Sequence, residues 1–289
     1  MGGSKRKGYF RRNKGRRVVF ILIPLFLALS LVFLIILKTI LPGKKPGRQS
    51  VGVSILKEKS SEGKAGQRSS PKLALIIDDG GYNMDNFKEM LGTGRPMTFA
   101  ILPHAPHARE AALLAHREGA EVMLHLPMEP HNGGQHALEK DTVRIGMESR
   151  QIQKILEEAL QRVPHVRGVN NHMGSKATQD PRVMGSLMLV MRKEGLYFID
   201  SNTNSQTLGP EMARKAGVAF RRNDRFIDRE KDIGAIKEAV RLAMRKARQE
   251  GKAVAIGHPH PLTARAIKEM IPEIDKKGIR LVFASEVVE

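Results

Sequence analysis

Leu73–Gly81 reads LALIIDDGG, and its two halves make different demands on the chain. Leu73–Ile77 is a continuous apolar run of strand length, as a short strand bounded by turn formers requires. Asp78-Asp79-Gly80-Gly81 is where that strand is expected to stop. Two adjacent carboxylates at the end of a buried run repel at neutral pH, and each needs hydrogen bonds or a cation to offset its desolvation. An exposed turn, in which Asp caps the next helix and Gly takes positive φ, is the competing reading. What else the fold brings to the same edge decides between the two.

From Lys72 onward short apolar runs alternate with amphipathic ones. Strands are predicted at 73–77, 97–101, 121–126, 167–171, 196–200, 218–220, 253–257 and 280–283. Helices are predicted at 108–118, 149–162, 181–194, 231–250 and 263–277. Several of these helices are followed by Gly, at Gly119, Gly195, Gly251 and Gly278, the usual C-terminal cap. Repeated strand-helix alternation implies parallel strands with crossover helices, in either a barrel or a doubly wound sheet.

The 289 residues carry a formal charge of +19, but the surplus is not spread evenly. Residues 1–71 hold 16 Lys/Arg against two Glu, and residues 72–289 hold 33 basic and 28 acidic side chains. With no Trp and three Tyr, the C-terminal part offers little of a nucleic-acid-binding face. The absence of Cys excludes disulfides, thiolate catalysis and Cys-zinc sites.

Val18–Leu37, VVFILIPLFLALSLVFLIIL, is 20 residues without a charge and is preceded by eight Lys/Arg. That length spans a hydrocarbon core of roughly 30 Å as a helix. The charge asymmetry keeps the N-terminus cytoplasmic and places the C-terminal bulk across the membrane. Lys38-Thr39-Ile40-Leu41-Pro42 offers no small-x-small cleavage site, so an uncleaved single-pass anchor is expected. The expected organisation is a basic cytoplasmic tail (1–17), an anchor (18–37), a Lys/Gly/Ser/Pro-rich tether (38–71) and one domain (72–289).

On this scaffold the polar residues gather at strand C-terminal ends. Asp78 and Asp79 follow the first strand, His125 lies on the third, Asn170-Asn171-His172 follow the fourth, Asp200 ends the fifth, and His258 and His260 follow the penultimate one. Ligands and catalytic groups collect at that edge in both parallel architectures. The opposite strand ends show no comparable cluster. Taken singly, His125 reads equally as a core histidine, His172 as a turn cap and Asp200 as a helix N-cap. Together, two acids and three histidines at one edge point to a metal site, since imidazoles and a carboxylate suit Zn²⁺ with an open water position.

The ordered set IIDDGGY, EVMLHLPMEP, GVNNHMGS, YFIDSNT and AIGHPHP resembles the divergent polysaccharide deacetylase family, a distant branch of the metal-dependent polysaccharide deacetylases. The resemblance covers residues 72–289. It implies a distorted (β/α) barrel of about seven strands and envelope carbohydrate as the substrate class; joined to the anchor read from Val18–Leu37, the expectation is a membrane-anchored hydrolase removing N- or O-acetyl groups from envelope polysaccharide or a peptidoglycan-like polymer. The expected location is the bacterial inner membrane, with the domain in the periplasm or outside. It also implies that Asp78 acts as base and Asp79 binds metal. The broader superfamily's His-x-x-x-His appears here as His125 with Glu129 in the second place. His172 is the expected third zinc ligand after Asp79 and His125, and Glu129 the runner-up. Protonating the leaving group is assigned to His258, with His260 as alternate or support and Asp200 holding one of them in the right tautomer. Asp224, in the NDRFID stretch, is expected to be structural or to support the site from behind, and not to be catalytic. The alternative function is a glycan-binding or scaffold protein that keeps the mouth and has lost turnover. A metal phosphoesterase is a weaker third.

Overall fold

The computed structural model describes residues 70–132 and 138–289. The basic tail, the apolar span Val18–Leu37 and most of the tether lie outside the described residues. Among those described, no helix is long and apolar enough to cross a membrane.

β1 (Lys72–Gly80) organises the sheet. Leu73 to Ile77 are all fully buried, as expected of a parallel strand covered on both faces. β1 pairs in parallel with β2 (Thr98–Ile101) and β8 (Lys252–Gly257), and its first residues also pair with β9 (Arg280–Val282). Beyond β2 the order runs through β3 (Glu121–Met128), β4 (Val166–Met173), β5 (Tyr197–Asp200) and β6 (Phe220–Arg222), while β7 (Arg225–Phe226) lies against β8. The predicted strand at 218–220 is therefore shifted, and it continues after two residues as β7. Val218 is buried beside the strand, and the ladder itself uses Phe220 to Arg222.

The two ends of the sheet are consecutive in the chain. Asn223 N–H donates to the Asp200 carbonyl at 2.8 Å, and Asp224 N–H donates to the Val254 carbonyl at 3.0 Å. The bent β6–β7 segment thus touches both β5 and β8, and the parallel sheet curls as a (β/α) barrel does. The expected count of about seven corresponds to β1–β5, the bent segment and β8, with β9 an addition. Asp224 has the structural role expected of it, since its Oδ2 also accepts the Val254 N–H at 2.8 Å.

Among the described residues, seven α-helices connect the strands: α1 (Met84–Leu91), α2 (Ala108–Arg117), α3 (Ser149–Arg162), α4 (Pro181–Lys193), α5 (Gly209–Ala216), α6 (Ile233–Glu250) and α7 (Pro261–Lys276). α3 buries Ile152, Leu156 and Ala159, the spacing that turns one helical face to the sheet. α1 and α5 were not expected. Each has eight residues, of which only two are buried, too few to establish a helical period.

Strand alternation divides the core. Leu73, Leu75 and Ile77 join the large cluster under the helices, while Ala74 and Ile76 meet Ala100, Met123, Ile199, Val254 and Ile256 on the inner face. The amino-terminal end of the sheet does carry a polar cluster, contrary to expectation. Glu121 Oε1 accepts from Tyr197 Oη (2.7 Å), Thr98 Oγ1 (2.9 Å) and Ser285 N (3.2 Å). The cluster ties the C-terminal segment to the sheet, and every group in it is satisfied from within. Glu121→Ala should strand the Thr98 and Tyr197 hydroxyls and lower unfolding stability by about 3 kcal/mol, measured by urea denaturation of the full chain.

Candidate metal centre

Asp78 continues the inward parity of Ala74 and Ile76 and is 2% exposed. By strict alternation Asp79 would turn away toward the helices. Instead its backbone is left-handed, φ 55, and the register between β1 and β2 shifts between Ile77 and Gly80. Such a bulge re-aims a side chain, at a cost of about 1–2 kcal/mol for a non-glycine residue. Both carboxylates thereby face one mouth. Gly81, at φ 101, is needed beside them, because a Cβ there would lie 2.9 Å from the Ala105 methyl.

His125 and Asn170 occupy paired positions of β3 and β4 and share the inner face, with His172 two residues on. The Asn170 carboxamide donates through Nδ2 to Asp78 Oδ1 at 2.8 Å. Its Oδ1 therefore faces His125 Nδ1, also at 2.8 Å, and accepts that ring's N–H. This hydrogen bond assigns the tautomer and leaves His125 Nε2 with its lone pair directed into the mouth.

Three donor atoms converge there. His125 Nε2 lies 3.2 Å from Asp79 Oδ1, His172 Nδ1 lies 3.2 Å from the same oxygen, and the two nitrogens are 3.2 Å apart. Asp79 Oδ1 is buried with no aligned hydrogen-bond donor, an arrangement that a cation satisfies. Tetrahedral zinc with bonds of about 2.0–2.1 Å sets neighbouring donors roughly 3.3 Å apart, so the triangle fits such an ion. Burial alone would raise the Asp79 pKa, but the His125 and His172 rings outweigh it and hold the carboxyl well below the usual range. Burial likewise opposes charge on His125, yet Asp78 and Asp79 raise its pKa. The field at the triangle favours positive charge.

Glu129, the runner-up ligand, is committed elsewhere. Its Oε1 pairs with Lys176 Nζ at 2.7 Å and its Oε2 accepts the Ile145 N–H at 2.9 Å, so it ties together two loops beside the mouth.

His258 approaches from the far side, its Nε2 3.9 Å from Asp79 Oδ2. Its partner is not Asp200. Asp200 shares the outward parity of Phe198, and its Oδ1 accepts the Asn202 N–H at 2.7 Å. Asp228 does what was assigned to Asp200: its Oδ1 lies 3.0 Å from His258 Nδ1, and its Oδ2 accepts from His258 N (2.6 Å) and Thr263 Oγ1 (2.9 Å). Burial works against protonating His258, but Asp228, with Asp78 and Asp79 behind it, pushes the pKa up to about 9. The Phe226 ring lies parallel to the imidazole. His260 is exposed and caps α7, its Nδ1 accepting the Leu262 N–H at 3.3 Å. It holds a helix start and makes no contact with the triangle.

Asp78, Asp79, His125, His172 and His258 are thus brought together, while Asp200 and His260 are not. Asn170 and Asp228 were missed. Asn170 had a signal in its period-two spacing from His172 and its place opposite His125. Asp228 had only its position after the short apolar pair Phe226-Ile227.

Residues 75–288 match the family model described as divergent polysaccharide deacetylase. The uncharacterized protein YibQ of Escherichia coli is 39% identical over 217 residues, covering 75% of this chain and 67% of that protein. Among solved structures, the uncharacterized protein ATU2773 of Agrobacterium tumefaciens superposes with a TM-score of 0.73 at 22% identity, covering 78% of this chain and 91% of that one. BA3943 of Bacillus anthracis, described as a CE4 family pseudoenzyme, gives 0.50 at 13% identity, covering 76% and 66%. By the extent of the family match and the identity to YibQ, the chain belongs to the divergent polysaccharide deacetylase family.

Proposed function

We propose that this protein is a metal-dependent deacetylase of envelope carbohydrate, removing N- or O-acetyl groups while tethered to the membrane through Val18–Leu37. The observation that supports it most is the 3.2 Å triangle of Asp79, His125 and His172 donors with Asp78 and His258 on its flanks.

A divalent cation, zinc by the donor set, would be held by Asp79, His125 and His172, and when bound supplies Lewis acidity toward an acyl carbonyl and water. The remaining work belongs to the chain. Asp78 Oδ1 is occupied by Asn170, so Oδ2 is the oxygen left to take the proton of the attacking water. His258 Nε2 donates a proton to the departing amine or alkoxide as the acyl carbon–heteroatom bond breaks. Asp228 fixes that ring and keeps its proton in place at neutral pH. Water and the acetylated sugar become acetate and the free amine or hydroxyl.

The test is acetate release from N- and O-acetylated oligosaccharides by the full chain. His258→Ala should slow release about 10²-fold or more, with the larger loss on amides, whose amine leaves poorly unprotonated. Equal rates for His258→Ala and wild type would remove His258 from the mechanism.

A further inference from the structure

We propose that the seam between β6 and β7 is a binding groove for the anionic groups, carboxylate or phosphate, of an extended glycan. That the ligand is a glycan rests on the carbohydrate reading of the mouth. Every other consecutive pair of described strands is joined through a helix, but β6 and β7 are joined by Asn223-Asp224 alone. Two adjoining clefts lie along that stretch, about 750 Å³ beside α5 and about 560 Å³ beside α6, sharing Arg222 and Asp224.

The second cleft is lined by Arg222, Arg225, Arg245 and Lys246 against the one acid Asp224, and the first adds Arg214, Arg221 and a second acid, Glu289, which pairs with Arg221 and Lys252. Asp224 is already engaged by Val254 N–H and by Arg221 and Lys246, and Arg245 pairs with Glu238. Among the described residues, Arg214, Arg222 and Arg225 have no carboxylate within ion-pair distance. Asp200, whose Oδ1 accepts the Asn202 N–H, forms no ion pair with Arg222. The Arg222 Nη2 is held by Asn202 Oδ1 at 2.6 Å, while its Nε is buried without an acceptor. A fixed guanidinium with an unused, desolvated donor is suited to an anionic oxygen.

The lining also narrows the ligand. No aromatic ring lines the second cleft and Phe220 is the one aromatic lining the first, so the groove lacks the run of stacking platforms that single-stranded nucleic acid uses. The loop carrying Asn202 leans on the strand end that bears His172, through Thr203 Oγ1 to Met173 O (3.0 Å) and Asn204 Nδ2 to Ser175 O (2.7 Å). Groove and mouth therefore stand on two sides of one loop, and a polymer chain seated at the mouth can continue into the groove.

The test measures binding of three probes to the full chain by calorimetry at low ionic strength: oligogalacturonate, a glycerol-phosphate oligomer and oligoglutamate. One or both of the first two should bind, with affinity falling as salt rises. Arg225 is exposed and its side chain makes no hydrogen bond among the described residues, so Arg225→Glu should fold and weaken that binding about tenfold or more. Acetate release from a neutral N-acetylated oligosaccharide should be unchanged in this variant. Carboxylate and phosphate sources are separated by which probe binds. The proposal is overturned if neither anionic probe binds wild type, if oligoglutamate binds as tightly, or if Arg225→Glu binds like wild type. Charge-dependent binding of the first two probes without acetate release by wild type would instead sink the deacetylase reading and leave the groove standing.

Discussion

His172→Ala is expected to abolish tight zinc binding, whereas Glu129→Ala should keep it within a few-fold. His172 supplies one of three donors in the triangle, and the two groups on its flanks are engaged elsewhere, Asp78 Oδ1 by Asn170 and His258 Nδ1 by Asp228. Changes to groups that merely orient a ligand cost 10–100-fold in metal affinity, so losing the ligand itself should cost more than about 100-fold. Glu129 instead spends both oxygens on Lys176 and Ile145. Its removal should loosen the loops beside the mouth without emptying the triangle. Competition with a chromophoric chelator gives both affinities. A metal lost in Glu129→Ala and retained in His172→Ala would reverse the assignment.

The second large effect is expected at Asp78. Asp78→Asn preserves shape and can still accept the Asn170 N–H through its carbonyl oxygen, so metal content should stay near wild type. Its second oxygen, however, becomes an amide that cannot take a proton. Acetate release should fall by about 10²–10⁴, the range associated with a lost general base. Asp78→Asn combined with His258→Ala should cost less than the product of the two single losses, since both act in one transition state. A metal-loaded Asp78→Asn that keeps full activity would show that Asp78 is held for structure.

β1 is legible in the sequence because five consecutive apolar residues can only be a short element buried on both faces. His125 and His172 are legible because they sit at the C-terminal ends of recognisable strands. Strand-end position alone does not give direction, however. Asp200 ends a strand, but it has outward parity and turns away from the mouth. Asp79 fails the opposite test: alternation sends it outward, and only the left-handed backbone at φ 55 returns it. Asp228 follows a two-residue strand, too short to carry any period, so its partnership with His258 emerges only once β7 is seen against β8. The anchor at Val18–Leu37 is read from hydropathy and charge alone, and belongs to the proposal.

The most direct measurement is acetate release from an N-acetylated oligosaccharide by chelated full chain as zinc is added back, with bound metal counted in the same samples. Activity should be absent after chelation, rise in proportion to bound zinc and saturate at one ion per chain. One ion bound per chain with no acetate released from any acetylated glycan would contradict the deacetylase reading, and would make this member of the family a binding or scaffold protein.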